Sequence, residues 1–141
     1  MTDNEAIIRD LYAASEGPAL DTERFIAMFT DDGYMLDMAS GAKMRGQAIG
    51  ESLAGLVDAF PDVHRELLRI YSMGDVVVVE LATRGTHTGE LKLPSGGIPA
   101  TGKKIDVPSC DVYRLTDGRI ASFHCYNEAI VMLRQLGVGA G

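Results

Sequence analysis

The sequence predicts an α+β fold, in which a curved and mainly antiparallel sheet wraps over N-terminal helices and leaves a pocket between them. Three observations predict it. Apolar residues recur at helical spacing as far as Phe60, alternation of period two takes over from Val63, and short turn sequences join the alternating runs.

The elements follow in order. Thr2-Asp3-Asn4-Glu5 has capping-box spacing, and Ile7, Ile8, Leu11 and Tyr12 then keep a helical period until Gly17-Pro18 stops it. Asp21 caps a second, short helix carrying Phe25, Met28 and Phe29. Thr30-Asp31-Asp32-Gly33 reads as a turn into a short strand, Tyr34 to Met38. A third helix spans Gly46 to Phe60, with Ile49, Leu53, Leu56, Val57 and Phe60 in one stripe, and Pro61 ends it. Four long strands are expected over 63–73, 76–89, 104–115 and 119–127, and Glu90 to Gly102, rich in Gly and Pro, as a flexible loop. A fourth helical run begins after Asn127. On Val63 to Met73, strict alternation groups Arg65 and Arg69 with Val63, Leu67 and Tyr71, a mixture of stems and apolar groups typical of protein contacts.

Composition narrows the setting. The 141 residues are 46% hydrophobic, enough for one domain over 1–141 with a single core. A net charge of −7, with the basic residues dispersed, disfavours nucleic acid and anionic lipid as partners. No run approaches the roughly 20 apolar residues of a membrane span, so a soluble cytoplasmic protein is expected. Cys110, Cys125 and three scattered histidines show neither a disulfide framework nor metal-ligand spacing, and no metal or cofactor is expected.

The segment 117–136, DGRIASFHCYNEAIVMLRQL, is the most informative. A strand delivers His124, Tyr126, Asn127 and Glu128 to its end just before helical period begins, and ionisable groups crowded at such a junction suggest a site. The register of the preceding hairpin decides which groups meet. A two-residue loop at Asp117-Gly118 would set Cys110 opposite Cys125; a three-residue loop, Thr116 to Gly118, sets Cys110 opposite His124 and pairs Asp106 with Glu128. The three-residue loop is expected, because it gives Gly118 the left-handed position. Asp106, Cys110, Val112, His124, Tyr126 and Glu128 then share one face, and Val107, Tyr113, Phe123 and Cys125 the other.

Several motifs in order resemble the SnoaL-like polyketide cyclases: FPDVH at 60–64, GTHTGEL at 85–91, PATGKKI at 99–105, VYRLTDGRI at 112–120 and RQLGV at 134–138. The resemblance runs from the first helix to Val138. It implies the nuclear transport factor 2-like, cystatin-like architecture, a cone of sheet and helices around a ligand cavity. It also implies a homodimer formed through the outer sheet face, and carries three positions. Glu128 matches the acid/base aspartate at the end of the last strand, seven residues before Gln135, with one methylene more. Asp37, on the first strand, stands where relatives place an amide or a carboxylate base. Arg84 matches an arginine of the limonene-epoxide hydrolases, but Thr86 stands where its partner aspartate would be.

The function implied is a cofactor-independent acid/base enzyme that closes a ring by intramolecular aldol reaction, or isomerises, a small hydrophobic carbonyl compound. Glu128 and Asp37 are its expected catalytic carboxylates. Arg84, His124, Tyr126, Asp106 and His64 are its expected substrate-binding residues, with Glu80 pairing Arg84 inside the cone. The alternatives are an epoxide hydrolase and a noncatalytic binder of small molecules. Each candidate also has a structural reading: Glu128 as a helix-start carboxylate, His64 and His87 as hydrogen-bonded structural histidines, Cys110 as a small core residue.

Overall fold

A computed structural model describes residues 3–93 and 95–138. Helix α1, Asn4–Ala13, starts behind Asp3, whose carboxylate accepts the backbone N–H groups of Glu5 and Ala6. Those are donors that a helix start leaves open. Thr2, the expected first member of the capping box, lies outside the described residues. Ile8, Leu11 and Tyr12 form the buried stripe of α1. A 3-10 turn, Gly17–Ala19, leads to α2, Thr22–Ala27, capped by Asp21 through the Arg24 N–H. Strands β1, Phe29–Asp37, and β2, Lys43–Met44, precede α3, Gln47–Ala59, which buries Ile49 and Leu53 and stops before Pro61.

The remaining strands are β3, His64–Met73; β4, Val76–Thr86; β5, Leu91–Leu93; β6, Gly96–Ile98; β7, Lys104–Thr116; and β8, Arg119–Asn127. Helix α4, Ala129–Gln135, follows. Six strands form one sheet in the order β2-β1-β8-β7-β4-β3, in which β1 and β8 run parallel and the other neighbours antiparallel. The sheet is therefore mixed, because the last strand returns beside the first. Among the described residues no helix is long and apolar enough to cross a membrane.

Four local expectations are corrected by the register. Thr30–Gly33 is not a turn before the strand but a bulge within β1: Phe29 pairs with Ile120 and Tyr34 already with Ser122. Gly33 is needed there, since a Cβ would lie 2.6 Å from the Ile120 carbonyl oxygen. A second bulge at Leu68 breaks the alternation of β3. Leu67 pairs with Leu81 but Arg69 with Glu80, so Arg65 and Leu67 share the inner side while Arg69 and Tyr71 turn outward. The expected loop 90–102 contains the β5–β6 hairpin, whose Leu91 and Ile98 enter the core.

The β7–β8 connection is the fourth. Asp117 and Gly118, at φ 50° and 77°, form a two-residue turn of the mirror-image kind that suits strand twist. The ladder then slips between Arg114 and Leu115, so Cys110 faces Tyr126, not His124, and pairing ends at Ser109 and Asn127. Asp106 and Glu128 are not cross-strand partners. Turn and slip together preserve the expected parity: Cys110, Val112, His124 and Tyr126 still share a face, with Asp111, Tyr113, Phe123 and Cys125 on the other.

Burial decides which face is the inside. Along β7, Ile105, Val107, Asp111, Tyr113 and Leu115 are buried and their neighbours are not. The helices cover this odd-numbered face. A main cluster gathers Ile8, Leu11, Phe25, Ile49, Val77, Val79, Tyr113 and Phe123 between helices and sheet. A second, of Ala59, Phe60, Val63, Leu91, Ile98, Ile105, Val107 and Leu136, closes the end where the β5–β6 hairpin and α4 sit.

Candidate active site

One carboxylate lies in the apolar interior. Asp111 is 4% exposed, on the strand face otherwise occupied by Val107, Tyr113 and Leu115. The Tyr12 hydroxyl, brought over the sheet by α1, donates to its Oδ2 at 2.6 Å, and the Tyr113 hydroxyl donates to the Tyr12 oxygen at 2.7 Å. Asp111 Oδ1 has no hydrogen-bond partner among the described residues. A buried carboxylate with one oxygen unsatisfied is costly, which makes it a candidate for chemistry.

The electrostatics follow from burial. Desolvation pushes the Asp111 carboxyl up to about 6, against the opposing pull of the Tyr12 hydrogen bond, of the neighbouring Cys125 thiol and Tyr113 hydroxyl, and of the Arg65 charge. The phenols of Tyr12 and Tyr113 are raised well above their ordinary range, first by burial and then by their charged or ionisable neighbours. They therefore stay protonated as donors. Burial, and then the nearby Asp111 charge, also raises the Cys125 thiol, so it is a neutral hydrogen-bonding group and not a nucleophile.

Register extends the polar group to a second carboxylate. Asp37 on β1 pairs with Cys125 on β8, and Cys125 with Asp111 on β7, so the three lie in one row across the inner face. Two strand spacings separate the carboxylate-bearing backbones, about 10 Å. Asp37 is half-buried at the strand end. Its Oδ1 accepts from the Asn127 amide at 2.9 Å and the Ala39 N–H at 3.0 Å, and its Oδ2 from the Ser40 hydroxyl at 3.0 Å. Asn127, one row beyond Cys125, thus ties the end of β8 to Asp37.

The other sequence-derived candidates lie elsewhere. Glu128 is exposed; its backbone carbonyl starts α4, and its side chain makes no cap hydrogen bond. Tyr126 is 46% exposed on the outer face. His124, half-buried on that same face, meets the Tyr34 hydroxyl at 3.0 Å through Nε2. His64, Arg84 and Asp106 stand in one row across β3, β4 and β7, on the outer side, with Arg84 Nε 3.2 Å from Asp106 Oδ1. Glu80 bonds the Tyr71 hydroxyl and not Arg84, and is exposed, so the expected Glu80–Arg84 pair inside the cone is not formed. His87, by contrast, is fully buried against Phe60, its Nδ1 accepting the Thr101 N–H.

Asp111, Tyr12 and Tyr113 were missing from the sequence-derived site. Their signal was present: Asp111 is the one charged residue on the odd-numbered stripe from Ile105 to Leu115, whose other members apart from Ser109 are apolar or aromatic. The crowded ionisable groups near the end of β8 lie on the even-numbered face, which faces outward.

The chain also matches proteins already known. The profile described as SnoaL-like polyketide cyclase matches residues 9–136. No curated protein gives a significant sequence match. Among crystal structures, a hypothetical protein of ketosteroid isomerase-like fold from Catenulispora acidiphila, in complex with trimethylamine, is 25% identical with a TM-score of 0.77, covering 94% of this chain and 93% of that one. IdmH from Streptomyces antibioticus, provisionally described as a polyketide cyclase, is 23% identical with a TM-score of 0.80, covering 97% and 100%. A SnoaL-like protein from Jannaschia sp. CCS1, provisionally described in the same way, is 18% identical with a TM-score of 0.81, covering 97% and 93%. The last two likenesses establish the shared fold.

Proposed function

The chain belongs to the SnoaL-like polyketide cyclase family, and from that premise we propose that it transfers protons next to the carbonyl group of a small hydrophobic compound, in ring closure or isomerisation. The observation that carries this reading is Asp111: a carboxyl inside the cone, held by Tyr12, with its ordinary acidity shifted to about 6 and one oxygen free. A group of that acidity both accepts and returns a proton near neutral pH. Asp37, anchored by Asn127 and lying in the same row as Asp111, is the second and better solvated carboxylate, in the role of the base.

In this reading Asp37 removes a proton from carbon, and protonated Asp111, through the Oδ1 that the two phenols leave free, donates to the oxygen on which charge develops. In a dry apolar setting such donors count for more than in water. Substrate access requires side chains to move. Met28 and Met44 pack against the main cluster beside buried Met35, and unbranched thioethers are adaptable enough to yield to a ligand. Glu128 would act at the rim in this scheme, because its side chain is solvent-exposed.

Epoxide opening is less well supported. The Arg84 guanidinium is on the outer side, paired to Asp106, away from Asp111. Noncatalytic binding is the second reading, favoured by the dense packing around Asp111.

Proton exchange tests the choice. Incorporation of solvent deuterium at the α-carbon of β-tetralone, followed by NMR, should be accelerated by the wild-type protein and reduced about a hundredfold or more in Asp37→Asn and Asp111→Asn. Acceleration that persists in both variants, or none in the wild type, removes the proposal. A second copy of the chain is the proposed partner, through the outer sheet face that exposes Tyr71 and Met73. Light scattering that gives a monomer at high concentration would reject the dimer.

A further inference from the structure

Outside the cone, at the end of the sheet where β3, β4 and β7 meet the C-terminal turn of α4, an open depression of about 510 Å³ is lined by Asp62, His64, Arg84, Lys104, Asp106 and Gln135 among others. Its charges are unequally used. Asp62 is occupied: Oδ1 accepts the Thr86 N–H at 2.7 Å and Oδ2 the Thr86 hydroxyl at 2.8 Å, bonds that hold its carboxyl below the usual range. Asp106 is occupied through the Arg84 Nε. His64 has a carboxylate oxygen opposite each ring nitrogen, Glu16 at 3.0 Å and Glu66 at 3.1 Å.

The cations are left over. Arg84 is engaged only at Nε, so its two terminal nitrogens have no partner among the described residues, and its planar fork is already oriented by Asp106. Lys104 has no carboxylate within 4.0 Å among the described residues. It pairs with Thr86 across the strands, two residues along from the Arg84–Asp106 pair. The two free cationic heads therefore arise from adjacent strands within one diagonal step, a distance that long side chains span. In a chain of net charge −7, such a concentration of unmatched donors is local and specific.

We propose that this depression is an oxyanion-binding site, in which Arg84 and Lys104 hold a carboxylate or phosphate group. Asp106 orients the Arg84 fork, and Asp62, whose oxygens are taken by Thr86, acts on Lys104 only through its charge, without a direct ion pair. The ligand is a small molecule bearing that anionic group, bound at a position separate from Asp111 and independent of the chemistry inside the cone.

The test uses the whole chain, labelled for two-dimensional NMR and titrated with inorganic phosphate or with acetate at constant ionic strength, with chloride as control. Saturable shifts are expected at the Arg84 Nε–H and at the Thr86 and Lys104 amides. Saturation by phosphate alone identifies a phosphate ligand, and by acetate alone a carboxylate. Lys104→Gln, at an exposed and unpaired position, and Arg84→Gln should each weaken binding about tenfold or more while resonances of Tyr12 and Asp111 stay in place. Shifts that never saturate and are matched by chloride overturn the site, as does undiminished binding in the Arg84→Gln, Lys104→Gln double variant. Neither result bears on proton exchange by Asp111.

Discussion

Replacing Asp111 with Asn isolates the energetic cost of a carboxylate in the core. The folded protein binds the Asp111 proton at about 6 against an ordinary value of 3.8, so between those values the folded state carries more protons than the unfolded one. Stability contributed by this group is therefore fully present below 3.8, falls as pH rises through the window, and is lost above about 6. The gap corresponds to about 3 kcal/mol, since each pKa unit is worth about 1.4 kcal/mol. Asparagine keeps an oxygen to accept from Tyr12 and has no proton to lose. Its substitution costs little that depends on pH, and its stability curve should lack the fall. Urea denaturation of both proteins from about pH 4 to pH 8 measures this as a difference that grows toward alkaline pH by about 3 kcal/mol in favour of Asn, then levels off. A difference that stays constant across the window would show that Asp111 titrates as a solvated group, and the site would lose its physical basis.

Other outcomes follow from the same geometry. Tyr12→Phe removes the donor to Asp111 Oδ2, and should cost about 1.5–3 kcal/mol at neutral pH while moving the upper end of the pH-dependent fall in stability to higher pH; an unshifted upper end would deny the hydrogen bond. Gly33→Ala forces a Cβ against the Ile120 carbonyl and should destabilise by about 1–3 kcal/mol in thermal or urea unfolding, with no loss if the β1 bulge is absent. Gln135 donates to the Asp106 carbonyl and accepts its N–H, both at 2.8 Å, on the stretch of β7 that β8 does not reach. Gln135→Ala should cost about 1 kcal/mol and speed hydrogen exchange of the Asp106 amide. Cys125, whose thiol burial pushes up, should resist alkylation in the folded protein at neutral pH; rapid modification would contradict its placement.

By itself, the sequence determined where the chain turns helical, where it becomes extended, and which neighbours share a strand face. Those are local properties: a carboxylate cap at Asp3 or Asp21, a proline at 61, and the alternation of Ile105, Val107, Tyr113 and Leu115. The family resemblance agreed with the α+β architecture already read from that patterning. Tertiary structure decided which face the helices cover, and so exchanged Asp106, Tyr126 and Glu128 for Asp111, Tyr12 and Tyr113 as the interior polar group. Alternation labels two faces of a strand without saying which is inside, and Tyr12 reaches Asp111 across 99 positions of sequence. The bulges at 30–33 and Leu68 and the slip after Arg114 are likewise collective, because one extra residue is accommodated wherever twist and packing make it least costly. Gln135 shows the same division: its place in a recurrent motif could be read from the chain, but its task of completing the free edge of β7 exists only once α4 has folded back onto the sheet.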